Sequence, residues 1–185
     1  MQLALPLPFT ESRRHNMATS TTLIQSVTVP SGGSASIDFT SIPSTYTDLQ
    51  LVNSGRNTTN GNETVQLYFN NDQTATNYNI RRIYGNGSAA TSAAFNASYS
   101  MYFPLNNYTA STFSSSQCYI PNYAGSSNKS FSIDSTEENN ATLSEMVLIA
   151  GLWSNTAAIN RITLVPYSGT FAQYSTAYLY GIKNS

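Results

Sequence analysis

The chain has 185 residues, the size of one domain, and 40% of them are hydrophobic, with 13 Tyr and 8 Phe. That is enough apolar surface for a core, and it excludes the low-hydrophobicity, high-charge composition of a disordered segment. Charged residues are only 9%, and 8 basic against 9 acidic groups leave a net charge of −1, so no basic field exists to hold nucleic acid. Polarity comes instead from 27 Ser, 22 Thr and 20 Asn.

One Cys (Cys118) and one His (His15) allow neither an internal disulfide nor the ligand spacing of a zinc site, so no metal and no cofactor is expected. No run approaches the roughly 18 apolar residues of a membrane span, and no membrane partner is expected. Leu3 to Phe9 is short, is broken by Pro6 and Pro8, and has Arg13 and Arg14 behind it, which does not fit a signal peptide.

In chain order, residues 1–16 differ from the rest and are expected to form an extended N-terminal arm, because Pro6 and Pro8 fix their own φ and push Leu5 and Leu7 toward extended backbone. Leu3, Leu5, Leu7 and Phe9, with Arg13 and Arg14 following, are the candidate contact residues for a neighbouring subunit or shell. Met17 opens a Ser/Thr-rich run, and residues 17–185 read as one domain.

From Leu23 to Lys183 short alternating runs are separated by turn-forming clusters, the pattern of antiparallel sheets with one buried face. The inward positions are expected to be Ala35/Ile37/Phe39, Leu49/Leu51, Val65/Leu67/Phe69, Tyr99/Met101/Phe103, Phe131/Ile133 and Ile162/Leu164. The turns are expected at 30–34, 53–62, 70–72 (a hairpin), 85–88, 124–128 and 167–169, which are rich in Gly, Asn and Pro. Roughly ten strands at this spacing predict an all-β fold, an antiparallel β-sandwich of jelly-roll type. Leu143–Trp153 fits a helical face, with Thr142 and Glu145 resembling a capping box, but the apolar run MVLIAGLW favours a strand buried on both faces.

Candidate chemistry is sparse. Cys118 lies in a run that reads as strand and His15 in the arm, so nucleophile and base are not paired, and no catalytic residue is expected. Asp38, Asp48, Asp72, Asp134, Glu137, Glu138 and Glu145 are the available carboxylates. Adjacent Glu137 and Glu138 would face opposite ways on a strand, and solvated surface charge is the expected role of the whole set. The pair Arg81/Arg82 reads as surface ion-pairing groups. The Tyr residues fit both packing on half-buried strands and a sugar-binding face.

SIPSTYTDLQLVNSGR at 41–56, WSNTAAINRITLVP at 153–166 and GTFAQYSTAYLYGIK at 169–183 resemble small virion proteins of tailed bacteriophages, marine ones especially. The resemblance covers Met17 to the C-terminus and contains no catalytic signature. It implies a virion structural protein, expected as a capsid decoration or cement protein on the outer shell, a homotrimer contacting the major capsid protein or neighbouring virion subunits. The alternative is a tail or head fibre tip that recognises a host surface glycan.

Overall fold

The structure, a computed structural model, describes residues 20–96, 98–140 and 144–183. The arm residues Leu3, Leu5, Leu7, Phe9, Arg13 and Arg14, together with His15, lie outside the described residues.

The alternating runs form twelve strands in order: β1 (Ser20–Thr28), β2 (Ile37–Phe39), β3 (Asp48–Ser54), β4 (Thr64–Phe69), β5 (Tyr78–Gly85), β6 (Ala90–Phe95), β7 (Tyr99–Tyr102), β8 (Ser115–Ile120), β9 (Lys129–Thr136), β10 (Met146–Trp153), β11 (Ile162–Pro166) and β12 (Thr176–Lys183). Two antiparallel sheets result. The larger has the order β1-β12-β3-β8-β9-β10-β5-β6, the smaller β2-β11-β4-β7.

The pairing is nested. β1 pairs with β12, β2 with β11, β3 with β8, and β4 with β7. First with last, working inward, is the arrangement of a jelly roll, which the sequence pattern predicted. Two insertions break the symmetry. β5–β6 lies between β4 and β7, and β9–β10 between β8 and β11, and all four strands join the larger sheet beyond β8. One sheet is therefore twice as wide as the other.

The core sits between the sheets. Of the expected inward residues, Ile37, Phe39, Leu49, Leu51, Val65, Leu67, Phe69, Met101, Phe103, Phe131, Ile133, Ile162 and Leu164 are all buried. Ala35 is exposed, because the chain is still in the bend before β2 begins at Ile37. The side chain of Tyr99 lies outside the described residues. Phe69 meets Phe131 edge-on at 5.5 Å and Trp153 at 5.5 Å, and Trp153 stacks on Tyr78 at 6.5 Å. Their polar atoms converge on one turn: Trp153 Nε1 donates to Asp72 Oδ2 at 2.8 Å, and the Tyr78 hydroxyl donates to Asp72 O at 2.9 Å.

Three turn and strand expectations need correction. The 70–72 segment is a turn, with Asn70 and Asn71 at φ 52° and 59°, but it carries the chain from the smaller sheet to the larger and is not a hairpin. Asn53 and Ser54 belong to β3 and not to the loop that follows. Leu143–Trp153 is a strand from Met146 onward, as favoured, but it is buried on one face only: Val147, Ile149, Gly151 and Trp153 point inward, Met146, Leu148 and Ala150 outward. An unbroken apolar run cannot reveal that one of its faces is left uncovered. Thr142 and Leu143 of the apparent capping box lie outside the described residues.

Phe131 packs directly over Gly151, its partner across β9 and β10; a Cβ on Gly151 would lie 2.2 Å from the ring. Truncating Phe131 to Ala should therefore cost about 3 to 5 kcal/mol of unfolding free energy. Denaturant titration checks this, and a loss below about 1 kcal/mol would mean that the ring is not packed as described.

Candidate functional site

Side chains on a strand alternate between faces, so the strands that bury Phe131 and Trp153 must also present an outer row. On the larger sheet Gln50, Tyr119, Ser132, Ala150, Arg81 and Ala94 stand side by side across β3, β8, β9, β10, β5 and β6. The adjacent row is Val52, Gln117, Asp134, Leu148, Ile83 and Ser92. All of these except Val52 line a concavity of about 870 Å³ on the outer face. At its centre Leu148 and Ile83, cross-strand partners, are 50% and 59% exposed, and Met146 beside them is 56% exposed. Large apolar side chains grouped this way on a face that no described residue covers mark a contact surface.

The opposite wall is more polar and is held rigidly. The Tyr119 hydroxyl donates to Asp48 Oδ2 at 2.6 Å, and the same carboxylate accepts from the Asn122 backbone N–H at 2.8 Å. The hydrogen bond to Asp48, then burial and the Asp48 charge, push the Tyr119 pKa up to about 12. Gln50 Nε2 donates to Gln117 Oε1 at 3.2 Å. This wall can hydrogen-bond a ligand, while Leu148 and Ile83 offer apolar contact.

The expectation that the carboxylates are solvated surface charges fails at several positions. Asp38 pairs with Arg161 at 2.5 Å and accepts from Ser36 and Thr163. Asp48 and Asp72 serve as acceptors for the partners named above, and Asp48 is buried. Glu138 is exposed and Glu137 is buried, but both follow the end of β9 at Thr136, so strand alternation does not set their directions. Asp38, Asp48 and Asp72 each found donors that the sequence pattern does not display. Among the described residues no three His, Cys, Asp or Glu side chains converge to hold a metal ion. Cys118 is fully buried, which raises its pKa by desolvation.

The Arg81/Arg82 pair also departs from expectation. Adjacent on β5, the two point to opposite faces: Arg81 lines the concavity, and Arg82 turns toward the rings of Tyr84, Phe95 and Tyr102, with its guanidinium 4.6, 4.9 and 5.6 Å from their centroids. Among the described residues neither forms an ion pair. A smaller cleft of about 290 Å³ adjoins Arg82, with Glu63, Phe95 and Tyr102 in its walls.

Glu137 was missed as a special residue because nothing in its sequence neighbourhood signals burial. It is 1% exposed, and its Oε2 accepts no hydrogen bond. Burial, with the nearby charges of Glu63 and Glu145, raises its pKa to about 8. Burial and Glu63 also raise that of Glu145, against the opposing pull of Arg82. In the unfolded chain Glu137 ionises near 4.5. Between those values the folded state holds a proton that the unfolded state releases, so stability falls as pH rises from about 4.5 to 8 and then levels off. Asp38 and Asp72, whose hydrogen bonds outweigh their burial and hold them below the usual carboxylate range, act oppositely and lose stability as pH falls below about 4. The folded protein should be most stable near pH 4 to 5. Urea titrations across pH 4 to 9 test this; Glu137→Gln should flatten the alkaline decline and exceed the parent at pH 8, and a parent whose stability rises over that interval would contradict it.

No family model, no curated sequence and no solved structure matches the chain.

Proposed function

We infer that the chain is an accessory structural protein of a phage particle, a decoration or cement protein that binds the assembled shell and reinforces it without chemistry of its own. The observation that carries the reading is the uncovered apolar strip of Leu148, Ile83 and Met146 on a broad, charge-poor sheet face, which suits a protein surface better than a small polar ligand. The resemblance of segments 41–56, 153–166 and 169–183 to small virion proteins supports the same setting. A trimer, with the arm reaching a neighbour or the major capsid protein, suits a sandwich whose edge strands β1 and β6 pair on one side only among the described residues.

Reinforcement follows by mass action. A protein that binds only the assembled lattice stabilises it by RT ln(1 + [L]/Kd), about 2.7 kcal/mol per site at 100 times Kd.

A second reading has its own observation. Tyr119 on the groove wall, with Gln50, Gln117 and Asp134 close by, offers the ring and the hydrogen-bonding groups that a sugar requires, which favours a fibre tip recognising a host surface glycan.

Stripping the protein from particles, or deleting its gene, should reduce capsid survival under heat or low ionic strength while host adsorption stays normal. Intact shells with lost adsorption would favour the glycan reading instead. Because no metal is invoked, chelator should leave the melting temperature unchanged; a shift of more than a few degrees would point to a bound ion.

A further inference from the structure

Among the described residues nothing covers the apolar centre of the outer concavity, and the sequence outside them holds one apolar run of matching length. The outer concavity crosses six strands, about 24 Å at roughly 4.8 Å per strand, with Leu148 and Ile83 exposed at its centre. The arm sequence LALPLPF places Leu3, Leu5, Leu7 and Phe9 at every second position, so in extended form all four share one face over about 20 Å.

We propose that the concavity receives residues 3–9 of a neighbouring copy of this chain, with Leu7 and Phe9 over Leu148 and Ile83. Pro6 and Pro8 argue for a face and against a sheet edge. Neither has an N–H to donate, so the segment is a poor added strand, and its attachment rests on side chains. The same prolines limit the conformational entropy lost on docking.

The neighbour is favoured over the chain's own arm by direction. β1 is the sheet edge farthest from β6 and runs from Ser20 toward Thr28, with Ser20 three residues before Leu23, which aligns with the Gln50–Tyr119 row through Tyr180. Continued backward, β1 leads away from its own groove. To enter its own groove the chain would have to reverse that course within the ten residues Thr10–Thr19. The inference needs only self-association, and it stands apart from where the assembly sits on a particle.

The test mixes full-length chains carrying Leu5→Cys with chains carrying Leu148→Cys under mild oxidation; native Cys118 is fully buried and does not compete. The expected product is a covalent dimer of unlike chains, absent when Leu148→Cys is replaced by Ser26→Cys at the far side of the same face. In light scattering, Leu148→Arg and removal of residues 1–16 should each weaken self-association by about tenfold or more, and together no more than either alone. Leu148 is exposed, so its Arg variant should melt as the parent does. A parent that stays monomeric, self-association indifferent to Leu148→Arg, cross-linking confined to single chains carrying both cysteines, or a host glycan that shields Leu148→Cys from thiol labelling with the arm present would each overturn the proposal.

Discussion

The register of β9 against β10 is the constraint on which the outer face depends. The Phe131 ring takes the space that a side chain at position 151 would fill, and only glycine there permits it. With that pair fixed, Phe131 reaches Phe69, Phe69 reaches Trp153, and the aromatic core closes between the two sheets. Strand periodicity then leaves no freedom outside. Gly151 and Ile149 inward means Ala150 and Leu148 outward, and pairing with β5 sets Ile83 beside Leu148. A one-residue slip would turn Trp153 into solvent, so the core enforces the exposure of the apolar strip.

A chain with few charges uses them as structural fixtures. The buried Arg56 guanidinium donates to the backbone carbonyls of Asn106, Tyr108, Thr109 and Thr112, at 2.9 to 3.2 Å, and so fastens the long segment between β7 and β8. The Lys129 ammonium donates to the carbonyls of Gly125 and Ser127 and closes the turn before β9. These cations are satisfied without carboxylates, and Asp48 and Asp72 in turn accept from hydroxyl, indole and amide donors. Glu137 stands outside this pattern, and that exception makes the acidic end of the pH range the favourable one.

Period-two alternation made the core legible before any coordinates, since Val65, Leu67, Phe69, Ile162 and Leu164 sit among polar neighbours and can face only one way. Turn chemistry was legible for the same local reason: Asn70, Asn71 and Gly87 adopt the left-handed backbone that their residue types allow. What stayed hidden depends on sequence-distant partners. That Arg81 and Arg82 have unlike surroundings, that Asp72 serves Trp153, and that Glu137 is buried are consequences of which strands become neighbours. The candidate face was the least visible. Its residues come from six strands, and the outward half of MVLIAGLW is as apolar as the inward half.

That face is also separable from the scaffold that carries it. The nested pairs β1–β12, β2–β11, β3–β8 and β4–β7 complete a four-on-four jelly roll without either insertion. β9–β10 and β5–β6 widen the larger sheet only, and they supply four of the six strands that line the concavity. Within the insertions burial falls toward the edge: β9 and β10 bury alternate side chains to their full length, β5 buries only Tyr78 and Ile80, and β6 buries none. Local stability follows buried contact, so the outermost strand is the part of the sheet that opens most readily. The groove thus has a rigid wall at Tyr119 and an adaptable one at β6, an arrangement that lets a fixed core accommodate a partner whose side chains differ in size.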